Sequence, residues 1–419
     1  MHRLISALSL LAFISVASDS GVAQEATDLD WNHIPHLSMG GDLRFFWNVA
    51  DGSKGDTARN AQARGFGPVT LVGTYADYPG GQRENISTTI GAGYDNPWGK
   101  PPFFERIVRR NIDLTPPNGI YVHDIELPFE EDAQRAWQKP AVRSASGITS
   151  QGDFEEAYFR KWAEWFWLPL QWTKERYRGV RVGLYGPQPF RRDFWGIAGK
   201  NAEQIDGTHK SDWRLWKYID QYVDFYIASI YVFYDNPDSV FYMAANIEEN
   251  YLRTLRMGDR PLYAYTWLRF HNSNEKLEGK ELPSWLVEAM AIVPYFSGAK
   301  GVVLWGWEPQ LKTGMQLPYQ QLPQFVRSLR RVSALSEKIS RGRLLIDRPA
   351  QTLWKAHQPL IRTVVIGKNE CVIMAIDPWQ QDNARMTHSV RCGEINAPIV
   401  IEGRQTTLAL LNKQGLQTY

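Results

Sequence analysis

The chain has 419 residues, of which 43% are hydrophobic and 22% charged, with a formal net charge of +2. Those proportions are globular and exclude a disordered or fibrous chain. With no basic run, zinc-finger spacing or heptad array, nothing in the charge pattern points to a nucleic-acid partner. The length suits one large domain plus a smaller one, since α/β barrels alone run to roughly 250–300 residues.

The N-terminus carries an export signature. Met1, His2 and Arg3 give a short basic start, and residues 4–17 are an apolar run too short for a comfortable membrane span. Gly21, Val22 and Ala23 then supply small residues for a signal peptidase. Cleavage is expected after Ala23, with Ala17 as the second choice. The mature protein would be secreted or periplasmic, without stable membrane insertion; the alternative is an uncleaved anchor.

Short apolar runs begin at residues 43–50 (LRFFWNVA) and continue at 69–75, 119–125, 180–185, 225–233, 262–267 and 301–307. Near-continuous apolar strands are what a parallel sheet covered on both faces requires. Helical patterns lie between them at 154–177, 211–223, 239–257 and 283–296, and one more follows at 320–339. Pro169 is expected to kink or break the first of these. Repeated strand–helix units at this spacing predict a TIM-like (β/α)7-8 barrel over residues 24–344. Residues 51–66 and 77–102 are rich in Gly, Asp, Asn and Pro and read as long loops. After Gly342 no helical period remains, and residues 345–419 read as a small β-rich domain. The two cysteines, Cys371 and Cys392, both fall there. In an exported protein they are expected to form one disulfide, against the alternative of two buried thiols.

Barrel enzymes carry their chemistry at the C-terminal ends of strands. The third strand ends His123-Asp124-Ile125-Glu126. Residues two apart share a face, so Asp124 and Glu126 would both face the barrel mouth, while His123 and Ile125 pack outward. Side-by-side acids repel when both are charged, so one of them holds a proton near neutral pH. A second Asp-x-Glu, at Asp153 and Glu155, precedes a helical pattern and reads as a helix N-terminus. Other strand ends contribute Tyr185, Tyr231, Tyr265, Trp305 and Trp307. Each is by itself an ordinary core residue. Together, converging on two acids, they would make a pocket for a pyranose ring.

The stretches FWNVA, HDIE, GLYGP, SIY, AYT and GVVLWGWE, from about Phe45 to Glu308, resemble the hyaluronidase family of glycoside hydrolases in order and rough spacing. The resemblance implies that Glu126 is the acid/base. It implies that Asp124 positions and polarises the N-acetyl group of the substrate, whose own oxygen attacks the anomeric carbon. This is the substrate-assisted exception to the two-carboxylate scheme. Tyr231 would bond the acetamido group, Tyr185 would line the same subsite, and Tyr265 and Trp305 would hold and stack the sugar. Asn48 and Trp47 match the first-strand motif. The chain departs from the family in its residues 127–132 (LPFEED), in its C-terminal module and in lacking a barrel disulfide. Arg106, Arg109, Arg110, Arg191 and Arg192 are expected on a solvated face rather than against an acidic glycan.

The expectation is therefore an exported, monomeric glycoside hydrolase acting on a polysaccharide that contains N-acetylhexosamine, with no metal or organic cofactor. One rival pairs Glu126 with Glu308 as two separated carboxylates. Another is a glycan-binding protein without turnover. A metalloenzyme is disfavoured, since His123 points away from the mouth and no His-Glu-x-x-His spacing occurs.

Overall fold

The computed structural model describes residues 31–73, 75–77, 83–85, 96–99, 104–126, 133–192, 197, 200–255, 258, 260–310, 312 and 318–419. The expected signal peptide, most of the 77–102 loop and the stretch 127–132 after Glu126 lie outside those residues.

Seven parallel strands form a nearly closed barrel. They are β1 (Arg44–Asp51), β2 (Gly67–Gly73), β3 (Ile120–Asp124), β4 (Val182–Tyr185), β5 (Tyr226–Ser229), β6 (Leu262–Trp267) and β7 (Gly301–Glu308). Their order around the sheet is β4-β3-β2-β1-β7-β6-β5. The seam between β4 and β5 is bridged by Asp224, whose N–H donates to Val182 O at 2.8 Å and whose carboxylate accepts the Val182 N–H at 2.8 Å. β5 stops before the expected position 233. There the Ser229 carbonyl is taken by Tyr242 and Asn246 side chains, at 3.2 and 2.6 Å, instead of by a strand. Ile230 N–H still donates to Tyr265 O at 3.0 Å, which keeps the chain aligned one residue further.

Alternation sorts each strand into two faces. Phe46, Ile120, Val122, Phe225, Ile227, Tyr263 and Val303 fill the barrel interior. Phe45, Trp47, Val49, Val182, Leu184, Ala264, Val302 and Leu304 face the helices and belong to the main core. Low in the barrel, the Tyr263 ring lies 5.0 Å from Phe46 and 5.2 Å from Phe225. Gly183 gives Phe225 its room: a Cβ there would come within 2.1 Å of that ring. Gly183→Ala is therefore expected to cost about 1–3 kcal/mol of stability by overpacking, read as a Tm lowered by a few degrees. An unchanged Tm would show that the ring has space to move aside.

The helices α1 (Asp56–Ala63), α2 (Phe104–Leu114), α3 (Ala133–Trp137), α4 (Pro140–Ser146), α5 (Gln151–Arg176), α6 (Ala202–Ile219), α7 (Asp238–Thr254), α8 (Ser284–Ile292), α9 (Leu322–Ser333) and α10 (Ser336–Arg341) accompany the barrel. Ser150 caps α5 by accepting the Asp153 N–H, which is the helix-start role read from that second Asp-x-Glu. Pro169 does not end α5, which runs on to Arg176. Its buried aromatic face (Phe154, Tyr158, Trp162, Trp165, Phe166) keeps the helix docked where one backbone bond is missing. α6 starts earlier than its apolar pattern suggested. The reason is a reciprocal cap, in which Asn201 and Gln204 side chains each accept the other's backbone N–H at 2.9 Å. The expected 51–66 loop contains α1, held by Asp51, which accepts from Ser53 and Thr57. Among the described residues no helix is long and apolar enough to cross a membrane.

The C-terminal region is antiparallel. A five-stranded sheet has the order β8-β9-β10-β13-β14, from β8 (Arg343–Leu345), β9 (Leu360–Gly367), β10 (Glu370–Ile376), β13 (Thr407–Asn412) and β14 (Gly415–Thr418). The hairpin β11 (Arg385–Cys392) and β12 (Ile395–Glu402) covers one of its faces. Cys371 and Cys392 are joined as a disulfide between sheet and hairpin, with Cα atoms 5.9 Å apart. Unlike the helix-free reading of this stretch, a short helix α11 (Ala350–Lys355) precedes β9 and lies against α7. The other sheet face joins the barrel's own core through Val364, Val372, Met374, Leu408 and Leu410. A buried ion pair between Arg362 and Glu248 of α7 crosses that junction.

Candidate active site

Asp124 ends β3, and Glu126 stands two residues beyond it, near enough for its charge to act on Asp124. Asp124 stands in register with Tyr185 of β4 on one side and with Gly73 of β2, which has no side chain, on the other. Its Oδ1 is buried and has no hydrogen-bond partner among the described residues. Burial, and then the negative charge of Glu126, push its carboxyl up to about 7. Glu126 is exposed at the rim. Protein atoms around its carboxyl raise its pKa as well, by desolvation. Gly186, at φ 100°, lets the chain after β4 pass close to this strand end, where a Cβ would come within 2.4 Å of Ile125 O.

The tyrosines gather beside Asp124. Tyr185 donates from its hydroxyl to Ser229 Oγ at 3.3 Å, and its ring lies 5.0 Å from Tyr265 and 6.3 Å from Tyr231. Asn48 is buried and donates from Nδ2 to the Tyr265 hydroxyl at 3.1 Å. Burial raises the pKa of all three phenols, and the charge of Asp124 adds to this, so each remains a neutral O–H group. Trp305 lies 5.7 Å from Tyr231, ring to ring. Trp307, two residues further along β7, is 60% exposed, an indole left free above the mouth. The strand order places β6 and β7 across the barrel from β3, so the acids face an aromatic wall.

Two residues singled out from the sequence lie elsewhere. Trp47 is not at the mouth. It alternates outward between Phe46 and Asn48 and is 3% exposed, packed on Phe66 and Trp31 at 5.5 and 5.6 Å. Glu308 does not project into the mouth either. One residue out of phase with Trp307, it is buried outside the barrel, 3.3 Å from Arg269 and bonded by Gln310 at 2.8 Å. Glu308→Gln is therefore expected to lower stability, by about 1–3 kcal/mol for a broken buried charge pair. Turnover should remain within about threefold, against the roughly hundredfold or greater loss that a catalytic carboxylate would give.

His123 packs outward as expected. It is buried 2.7 Å from Thr173 Oγ1, and burial lowers its pKa to about 3. Thr173 gives its hydroxyl hydrogen to Pro169 O, so the neutral ring donates from Nε2. Arg109 is exposed and paired with Glu105 and Glu175. Arg191 and Arg192 depart from the solvated-face reading. Arg191 binds buried Asp212 at 2.6 Å, and Arg192, its side chain 1% exposed, reaches Glu249 at 3.1 Å.

Trp267 was missed, although it shares the face of Tyr263 and Tyr265 on β6. Its ring lies 4.9 Å edge-on to Trp305 and 6.2 Å from Tyr231. His271, past the end of β6, stacks on Tyr231 at 5.9 Å, and no strand periodicity reaches it.

No family model matches the chain, and no curated protein sequence matches it. Among solved structures, bee venom hyaluronidase is similar, with 13% identity and a TM-score of 0.44 over 63% of this chain and 91% of that one. An endo-1,4-β-D-mannanase from Thermotoga petrophila has 14% identity and a TM-score of 0.35, covering 60% of this chain and 66% of that one. A protein described as a putative α-N-acetylgalactosaminidase from Bacillus halodurans has 12% identity and a TM-score of 0.38, covering 88% and 97%. Many unrelated activities share this barrel, so function has to be read from the side chains.

Proposed function

We propose that the protein is an exported glycoside hydrolase, similar to hyaluronidases, that cleaves a polysaccharide containing N-acetylhexosamine with retention of configuration. One observation carries this reading. Asp124 and Glu126 stand together at one strand end, with a buried Asp124 oxygen, unpartnered among the described residues, beside tyrosine hydroxyls and aromatic rings. Glu308, the second carboxylate considered for a two-acid scheme, is turned away and paired with Arg269.

In the proposed reaction Glu126 donates its proton to the glycosidic oxygen as the C1–O bond breaks. The acetamido oxygen of the same sugar forms a bond to C1, closing an oxazoline ring. Asp124 accepts the acetamido N–H and, with a pKa near 7, can take that proton as the ring closes. Tyr231 orients the acetamido group, and Tyr185 and Tyr265 complete the subsite. Glu126, now a carboxylate, takes a proton from water as that water attacks C1, and Asp124 returns its proton to the acetamido nitrogen as the ring C1–O bond breaks. Trp305 and Trp307 offer faces on which pyranose rings stack.

The test is incubation of the mature protein with hyaluronan, chondroitin and chitin, with new reducing ends measured. Reducing ends whose formation is blocked by a thiazoline mimic of the cyclised acetamide are the expected result. Hydrolysis insensitive to the thiazoline would overturn the substrate-assisted route. Binding without hydrolysis would replace the enzyme with a glycan-binding protein.

A further inference from the structure

At the barrel end opposite the mouth, four cations converge from the starts of four strands. Arg44 opens β1, Arg181 immediately precedes β4, Arg260 stands just ahead of β6, and Lys300 immediately precedes β7. All four line one cavity of about 260 Å3, together with Tyr251 and Tyr263, and Asp42 is the one acid among its described lining residues.

Two of the four charges are already answered. Lys300 Nζ lies 3.0 Å from Asp42, and Arg260 Nη1 lies 2.9 Å from Asp220. Burial acts to raise the Asp42 pKa, but hydrogen bonds from Ser340 and Lys300 outweigh it, so that acid is charged and committed. The other two face no carboxylate among the described residues. Arg44 Nη1 donates to the carbonyls of Gly41 and Leu43, at 2.8 and 2.6 Å. Arg181 lies over the Phe225 ring at 5.8 Å and reaches the Tyr263 hydroxyl at 3.5 Å. Carbonyls and phenols satisfy donors but do not cancel charge, so the cavity keeps an excess of positive charge.

We propose that this cavity is a binding site for a compact oxyanion, a phosphate or sulfate group, gripped by Arg44 and Arg181 in the field of Lys300 and Arg260. Guanidinium forks match pairs of phosphate or sulfate oxygens, which makes arginine the residue suited to this grip. The volume equals that of about nine liquid waters, enough for a tetrahedral anion and its shell but not for a polymer chain. β1 and β4 are not neighbours in the sheet, so an anion held by Arg44 and Arg181 would tie together strands that share no ladder. The site lies away from the chemistry at the mouth, and its effect would be on barrel stability.

The experiment is calorimetric titration of the full mature chain with inorganic phosphate and with sulfate, beside sodium chloride at equal ionic strength. Glucose 6-phosphate is run in parallel to distinguish a free from an esterified oxyanion. One saturable site in the wild type is expected. At a hundredfold excess over Kd, Tm should rise by about 3 °C, an effect that chloride does not reproduce. Arg181→Gln, and the double variant with Arg44→Gln, should weaken binding at least tenfold. Absence of saturable binding in the wild type, or unchanged affinity in a folded Arg181→Gln variant, would overturn the site. Because Arg181 is exposed and holds no ion pair among the described residues, that single variant is expected to fold even if the double variant does not.

Discussion

Replacing Glu126 by Gln is expected to lower kcat on the responsive polysaccharide by about 10²–10⁴-fold, while KM stays within about threefold. The amide keeps the size and hydrogen-bonding reach of the carboxyl but can neither give a proton to the leaving oxygen nor take one from water. Glu126 is exposed, so the substitution carries little risk to folding. The pH profile supplies a second, independent reading. Two neighbouring carboxyls with raised pKa values titrate as a pair, and the active form holds one proton between them. Wild-type kcat/KM should therefore fall as pH rises through about 7, where that proton is lost. Steady-state kinetics of the wild type across pH, with Glu126→Gln measured at the optimum, decide the matter. A variant retaining more than a tenth of wild-type kcat would remove Glu126 from the acid/base role.

Much of this site was legible because a strand's side chains alternate with a fixed period. Once 119–125 reads as a strand, Asp124 and Glu126 must share a face and His123 must take the other. The same rule explains both displaced residues. Trp47 and Glu308 each stand one position from a residue on the barrel-facing side of its strand, Asn48 and Trp307, and a slip of one inverts the side. Trp47 matches the first-strand motif of the resemblance, and a motif match does not decide which face a side chain takes. Trp267 was recoverable from Tyr265 by counting two residues forward. His271 was not, since it follows the strand's end and reaches Tyr231 through a turn.

Other features depended on partners far along the chain. Arg192 reads as a surface charge until Glu249 is folded against it, and Pro169 reads as a helix breaker until a buried aromatic face holds α5 together. The reciprocal cap that starts α6 is polar, and α1 starts after a left-handed Gly55, so neither start leaves a mark on the apolar periodicity of the sequence.

Asp124→Asn should separate catalysis from stability by moving them in opposite directions. The wild-type carboxyl, with a pKa near 7 in the native state against 3.8 as the ordinary value, favours folding only in its protonated form. Its favourable contribution is complete below about pH 3.8 and is lost as pH rises through about 7, where the native state must ionise a buried group. Asn is neutral throughout and pays no such cost. Relative to wild type, the variant should therefore gain about 2–4 kcal/mol between pH 4 and pH 8, the upper end being the full shift converted to free energy. Paired thermal or urea melts at the two pH values measure this gain, and an equal difference at both would show that Asp124 ionises normally in the folded protein. Activity should fall by about 10²–10³-fold, mostly in kcat. The Asn carbonyl can still accept an acetamido N–H, so substrate is held, but the amide cannot take the proton as the oxazoline ring closes. A group retained for packing alone would lose stability on substitution. A gain in stability at high pH together with a loss of turnover is instead the mark of a carboxylate kept in an unfavourable place for its chemistry.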